Sequence, residues 1–533
     1  MIGSTVINTN PEKRFRQGFR HRVFWPPFLL LLGSVLFSLL YPGDFLQWLT
    51  DTNREMLDLS AWLFSITAFG MVVLIIIIFL TRFGSIRIGG QDAKPLLSRW
   101  SWFTVILCTT IAIGVLFWAA AEPLYHLNQP TQGSGANPNT YSAMRFSLAT
   151  MFMHWSFTPY ALYAVPALMF AITYYNLGQP FSLGSLLAPL LGDAFARRWS
   201  WLIDIIALYT LVAGMSASLG TGILALAGGL HHILPELTGG SLLYGCLIGL
   251  VVCTFVISAS SGLMKGIRIL SDLNVKFFIF LILFVLITGP TVFMLDLGLE
   301  SLGDFLVHFA ERSVFSGEGA DGEWARQWTV FYWANWLAWT PVTALFLGRI
   351  AYGYTVRDFI VMNFLLPSLF AICWITIFSG TTLHIQFYHQ GLLTLLQSSG
   401  PEAITYAILE TLPWSRFIIP FFLLLSFVSF VTAADSNTSA MSSMSTSGIN
   451  PDNPESRTSV KIIWGSLIGA MAWILLSRGG IEGIKMLSNL GGFPALILEI
   501  LVAMALIKVI ITRKGRAPAN NSNDNFVKAK PPR

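Results

Sequence analysis

Residues 328–341 read WTVFYWANWLAWTP: four tryptophans, a tyrosine and a phenylalanine in one apolar run that ends in Thr-Pro. Ring faces at this density can do something that carboxylates do poorly. Several electron-rich faces around one cavity attract a cation without a counter-charge, and quaternary ammonium groups suit them best. A trimethylammonium cannot donate a hydrogen bond, so a carboxylate offers it only Coulomb attraction, whereas rings add apolar contact to its methyls. At about 100° per residue, Tyr332, Asn335, Trp336 and Trp339 fall within an arc of roughly 100°, and Trp333 lies about 60° beyond Trp336. A second cluster, MHWSFTPYALY at 153–163, supplies Trp155, Tyr160 and Tyr163. On a single helix Trp155 and Tyr163 would lie about 80° apart on one side. An interfacial aromatic belt is the plainer explanation, but rings spread from 328 to 339 cover roughly 16 Å of axis, more than one headgroup layer. Ordinary packing between helices stays open as the alternative.

Helices that cross a membrane would have to position these rings. The 533 residues are 54% hydrophobic and only 11% charged, with mean hydropathy +0.65, against about a quarter charged in soluble domains. Apolar blocks of roughly 20 residues recur, at 24–42, 61–81, 100–121, 147–173, 200–230, 241–260, 274–295, 328–350, 360–380, 417–435, 459–477 and 488–510. The expectation is an all-α polytopic membrane protein with twelve transmembrane helices. Every even-numbered connection is basic, for example Arg82, Arg87, Lys94 and Arg99 after the second span, while the odd ones are neutral or acidic. Both termini are therefore expected on the cytoplasmic side. The net charge of +5 needs no nucleic-acid partner, because basic loops serve topology. Residues 1–22 are polar and basic with no signal-peptide cleavage site. The four cysteines lie inside apolar segments without zinc-ligand spacing. Neither metal nor cofactor is expected.

Residues 300–312, ESLGDFLVHFAER, read as an amphipathic helix lying at the outer surface. Helix breakers fall inside several spans: Gly214, Gly220 and Gly222, then Pro341, then Gly491-Gly492-Phe493-Pro494. Interrupted helices at membrane depth mark substrate and ion sites in secondary transporters. The tail from Ala517 is rich in Pro, Asn and Lys and reads as disordered.

The stretch WTVFYWANWLAWTP…LFLGRIAYGYTVRDF resembles the signature of the betaine/carnitine/choline transporter family. So do MKGIRILSDLN (264–274), FWAAAEPLYH (117–126), MHWSFTPYALY and FVTAADSNTSAMSSMS (430–445). The resemblance implies a LeuT-type core of two inverted five-helix repeats, spans 3–7 and 8–12, behind two extra N-terminal helices. It divides the chain into a cytoplasmic segment 1–23, two peripheral helices in 24–99, repeats at 100–295 and 328–510, a periplasmic helix and loop at 296–327, and a cytoplasmic tail 511–533. It implies a homotrimer in the bacterial inner membrane, in contact with lipid, moving a small onium substrate by alternating access. The family's cage maps to Tyr125, Trp155, Tyr160, Tyr163, Trp333, Asn335, Trp336 and Trp339. Asn335 departs from the family's usual tryptophan, which points to a substrate less purely trimethylammonium than glycine betaine, or one with a polar group nearby. Glycine betaine, choline, carnitine and sulfonium analogues would all satisfy such a cage.

Sodium-coupled members are expected to show threonines in span 5 and a Thr-Ser pair in span 10. Here those positions are Leu211, Met215 and Ala433, and only Thr432 is kept. Sodium prefers hard oxygen ligands. Arg268 matches the arginine that fills the vacated ion site in sodium-independent relatives, although an arginine on a cytoplasmic connection also fits topology alone. Exchange, uniport and proton symport stay open, with Glu122, Asp204, Asp435 and His154 as intramembrane candidates for a proton carrier. A sodium-coupled symporter of the same family and an amino-acid permease of the same fold are the alternatives. An enzyme is not expected: His231-His232 lacks the spacing of a helical metal pair and no phosphate-binding loop occurs. A channel would need charged rings or a carbonyl filter.

Overall fold

In the computed structural model, residues 18–110, 113–237, 239–260, 263–317, 319–447 and 456–512 are described. The fold is a helical bundle. It opens with α1 (His21–Leu40) and α2 (Pro42–Leu80), followed by α3 (Arg99–Thr110), α4 (Ile113–Asn128), α5 (Tyr141–Trp155) and α6 (Phe157–Ala171). The short α7 (Ala188–Leu191) leads into α8 (Asp193–Ile233), α9 (Ser241–Ser260) and α10 (Leu263–Thr288). Then come α11 (Thr291–Val307), α12 (Phe309–Val314), α13 (Gly319–Ala325) and α14 (Phe331–Arg349). The chain ends with α15 (Val356–Ile360), α16 (Leu366–Tyr388), α17 (Leu392–Ser399), α18 (Ile404–Glu410), α19 (Ser415–Met444) and α20 (Thr458–Thr512).

Among the described residues, seven helices are long and apolar enough to cross a membrane, or up to nine if each of two bent pairs is one span. The expected spans 459–477 and 488–510 both lie in α20, whose 55 residues would run about 80 Å if straight. They do not run straight: Gly480 has φ 55° and ψ −143°, a conformation open to glycine alone at little cost. The segment 300–312, expected as one surface helix, is divided between α12 and the end of α11, which begins at Thr291 after a 110° bend. Met294, Leu297, Ser301 and Phe305 on its inner side are buried, and Val292, Leu299 and Val307 are exposed on the other.

The breakers do not break where the sequence places them. Helix α14 continues through Pro341. Proline has no N–H to give the carbonyl four residues back, and here the Thr340 hydroxyl donates to the Leu337 oxygen at 2.9 Å instead. Gly214 and Gly220 stay inside a continuous α8, and Gly491 and Gly492 stay helical in α20. These glycines serve close approach. A Cβ on Gly492 would lie 2.3 Å from the Ala334 oxygen and 2.6 Å from its Cα, and one on Gly491 would lie 2.5 Å from Ala213 Cβ. The pair seats α20 against both α8 and α14.

The ends of the bundle are tied by charge. Arg20 pairs with buried Asp204 on α8 at 2.6 Å and donates to the Met444 carbonyl at 2.8 Å. The two-residue strands β1 (Gly18–Phe19) and β2 (Thr446–Ser447) pair alongside. Arg357 donates to the Phe79 and Thr81 carbonyls, both at 3.0 Å, and so caps α2.

Alanine at Gly492 must push two backbones apart, which costs about 1–3 kcal/mol. Gly492→Ala should lower the midpoint of thermal unfolding in detergent, whereas Gly303→Ala, where a Cβ meets nothing within 4 Å, should leave it unchanged or raise it. Equal midpoints for both variants contradict this packing.

Candidate functional site

A carboxylate inside the bundle draws three helices together. Glu122 on α4 is fully buried. Its Oε1 meets His126 Nε2 at 3.1 Å and His154 Nδ1 at 2.7 Å. Its Oε2 accepts from Trp155 Nε1 at 2.9 Å and from the Tyr332 hydroxyl at 2.5 Å. Glu122 and His126 share a face because they lie one turn apart on α4. His154 and Trp155 are the last two residues of α5, and Tyr332 is the second of α14. A buried charge is tolerated when its remaining lone pairs are satisfied, and four partners do so here.

The network continues into the rings. His154 Nε2 meets Thr329 Oγ1 at 3.1 Å, and the His154 carbonyl accepts from Trp336 Nε1 at 3.1 Å. Both indole N–H groups, of Trp155 and Trp336, are thus anchored by acceptors that Glu122 holds or neighbours. Trp155 stands at a local irregularity: Ser156 has φ −114° and ψ −108° and separates α5 from α6, while Tyr141–Asn176 as a whole still forms one span, as expected for 147–173. The arc drawn across 155–163 as one helix therefore does not hold, yet the side chains converge.

Trp336 stands at the centre of that convergence. Its ring centroid is 5.5 Å from Trp155 at 83°, 5.4 Å from Tyr163 at 73° and 6.4 Å from Tyr160 at 47°. Planes this steep make a corner rather than a stack. All four residues are buried, so none of them faces lipid. Gly114 is the floor: a Cβ there would lie 2.9 Å from Trp155 Cη2.

The other candidates are placed elsewhere. Trp333 is fully buried and packs edge-on to His154 at 6.0 Å. Asn335 turns toward α20, where its Oδ1 accepts from the Ser488 hydroxyl at 3.1 Å. Trp339 turns toward α8, its Nε1 3.4 Å from where a Cβ on Gly214 would sit. Tyr125 lies against Trp328 at 5.0 Å, in a second ring group with Trp118, and Phe331 joins it through Lys485, whose ammonium lies over both Trp328 and Phe331. The wide arc on α14 is split because buried α14 meets α6, α8 and α20 on different sides. Thr432 Oγ1 donates to the Val428 carbonyl at 2.7 Å, and Asp435 accepts from Ser439 at 3.5 Å. The Arg268 side chain lies outside the described residues. His231 meets the Leu237 carbonyl at 3.0 Å, and His232 lies 3.7 Å from Glu410.

Glu122, His126 and His154 each bring a ligand atom within 4.8 Å of the others, a spacing that a metal ion could bridge. In this arrangement the carboxylate meets both imidazoles directly. His126, Thr329, Trp328 and Lys485 were not singled out by the sequence reading. The Glu-x-x-x-His spacing was the available signal for His126, and a lysine beside a span was the signal for Lys485. Nothing in the sequence marked Thr329.

A model of the betaine/carnitine/choline family of transporters matches residues 22–515. The chain belongs to that family. It is similar to a probable glycine betaine transporter of Desulfitobacterium hafniense, 28% identical over 90% of this chain and 95% of that one. It is 30% identical to the glycine betaine transporter OpuD of Bacillus subtilis, over 91% of this chain and 93% of the relative. The osmo-dependent choline transporter BetT2 of Acinetobacter baylyi is 29% identical over 94% of this chain and 72% of its own length. As a family member with several apolar helices, the chain is a multi-pass membrane protein.

Replacing Glu122 by glutamine keeps the volume but removes the charge and turns an N–H₂ toward groups that donate. Losing a hydrogen bond to a buried charge costs about 1.5–3 kcal/mol. Glu122→Gln should therefore lower the thermal midpoint in detergent and shift tryptophan emission as Trp155 loses its acceptor. Unchanged midpoint and emission would show that the network holds nothing.

Proposed function

We propose that this protein is a secondary transporter of a quaternary ammonium compound, working by alternating access and without sodium. The observation that carries the reading is the convergence of Trp155, Tyr160 and Tyr163 from the broken α5–α6 pair on Trp336 of α14. Such a corner of ring faces favours a bulky cation with no N–H to donate. The names of the relatives agree in kind: two are glycine betaine transporters, one of them labelled probable, and the third a choline transporter.

The coupling rests on what lines the expected ion site. Leu211 and Met215 of α8 are buried and bring hydrocarbon and a thioether where sodium would need hard oxygens. Arg268 is assigned as the fixed positive charge in that place, with Thr432 as the retained hydroxyl. Transport then runs by exchange, by uniport or with a proton. Glu122 and His154 sit directly behind the rings, and Asp204 is engaged at the end of the bundle by Arg20.

The remaining architecture is proposed with the family: twelve spans, inverted repeats in 100–295 and 328–510, a homotrimer, and the bacterial inner membrane with both termini cytoplasmic.

The test is uptake of labelled glycine betaine and labelled choline into proteoliposomes, with an inward sodium gradient and with potassium in its place. At least one compound should enter equally well under both conditions. Trp336→Ala should reduce that uptake at least about tenfold, the loss of one well-placed ring face. Strict sodium dependence overturns the coupling assignment, and wild-type rates in Trp336→Ala overturn the cage.

A further inference from the structure

The second ring group already holds a cation, and the chain supplies it. Lys485 follows the Gly480 kink on α20, and its side chain is 9% exposed. Its Nζ lies 4.3 Å from the Trp328 ring centroid, 5.4 Å from Phe331 and 5.9 Å from Trp118. Glu482, one turn back and itself well exposed, stands 3.4 Å from the same nitrogen. Three ring faces and one carboxylate offset the cost of drying an ammonium.

This box is joined to the cage by a row of rings. Trp328 lies 4.8 Å from His126, His126 lies 5.8 Å from His154, and His154 stacks on Tyr332 at 4.6 Å. Tyr332 lies 5.2 Å from Trp155, which borders Trp336. The box sits toward the end of the bundle away from β1, the end that carries the neutral and acidic connections.

A substrate head that reached this box would meet a resident ammonium at the rings best suited to it. Two kinds of onium compound then differ. An onium alcohol that takes the rings evicts Lys485 and adds a second positive charge beside Glu482, the carboxylate already paired with the ammonium, with Glu402 near enough to act on Tyr125 at the same rings. Glu122 cannot turn to help, since both its oxygens are taken. An onium carboxylate adds no net charge: its head replaces the ammonium on the rings, and its carboxylate accepts from the ammonium it displaced. Like charges brought together in a dry site repel strongly, and a charge-assisted pair there is strong.

We propose that Lys485 is a specificity-determining residue that trades places with the substrate head on Trp118, Trp328 and Phe331, and thereby favours quaternary ammonium carboxylates over quaternary ammonium alcohols. The inference rests on the onium-transport reading above and narrows its substrate class.

The experiment compares glycine betaine with choline on the full-length protein, by tryptophan-fluorescence titration and by competition for uptake in proteoliposomes. Wild type should bind glycine betaine more tightly. Lys485→Gln should shrink that preference about tenfold, the scale of one charge-assisted hydrogen bond, chiefly by weakening the carboxylate compound. Lys485→Arg should keep it. Glu482→Gln, which frees the ammonium from its competing carboxylate, should hold or raise it and does not depend on the lysine variants folding. A wild-type preference for choline, or an unchanged ratio in Lys485→Gln, overturns the role of Lys485 while leaving onium transport standing. Absence of binding by either compound to the wild type overturns both.

Discussion

The fold around the rings depends on one buried carboxylate. Glu122 holds partners from α4, α5 and α14, and two of them, Trp155 and Tyr332, are themselves ring residues. A charge without water must be satisfied from all sides or it destabilises the whole neighbourhood. That demand fixes where the C-terminal end of α5 stands relative to the N-terminal end of α14. It also fixes how the indoles turn: with Nε1 of Trp155 on Glu122 and Nε1 of Trp336 on the His154 carbonyl, their polar edges point into protein. What the indoles turn toward Tyr160 and Tyr163 is π-surface.

The packing behind that arrangement is built from absent side chains. Gly492 and Gly491 let α20 approach α14 and α8 to distances that no Cβ allows, and Gly114 leaves room for the Trp155 ring. Thr340 supplies the hydrogen bond that Pro341 removes, so the aromatic helix stays straight enough to present its rings in register. Three of the departures from regular helix fall at Ser156, at Gly480 and in the π-helical turn over Arg326–Val330. Each adjoins a ring cluster: Trp155 precedes the first, Lys485 follows the second, and Trp328 lies within the third.

Much of this was legible in the letters. Block length gave the apolar helices, and ring density in two segments pointed to Trp336 and the three residues that meet around it. What the helical wheel could not supply was direction. A buried helix has several neighbours, so Asn335 and Trp339, drawn on the same arc as Trp336, turn to Ser488 and to α8 instead. The break at Ser156 left no breaker to read, because MHWSFTP carries its proline three residues later. Conversely Gly491-Gly492 and Pro341 looked like interruptions and are not, since glycine also serves contact and a neighbouring threonine can mend a proline. Glu122 was visible as an expensive intramembrane carboxylate inside the motif FWAAAEPLYH, open to a structural hydrogen-bonding role; which partners it takes was not, since those on α5 and α14 are far away in sequence and near in space.

The central claim is that the ring corner binds positive charge, not merely a greasy shape. Glycine betaine and 3,3-dimethylbutanoate separate the two, since they share outline and carboxylate and differ by nitrogen against carbon at the branched centre. In a tryptophan-fluorescence titration of the purified protein, glycine betaine should give a saturable change, and the carbon compound should bind at least about tenfold more weakly for want of cation–π attraction. Equal affinities for the two would contradict the claim.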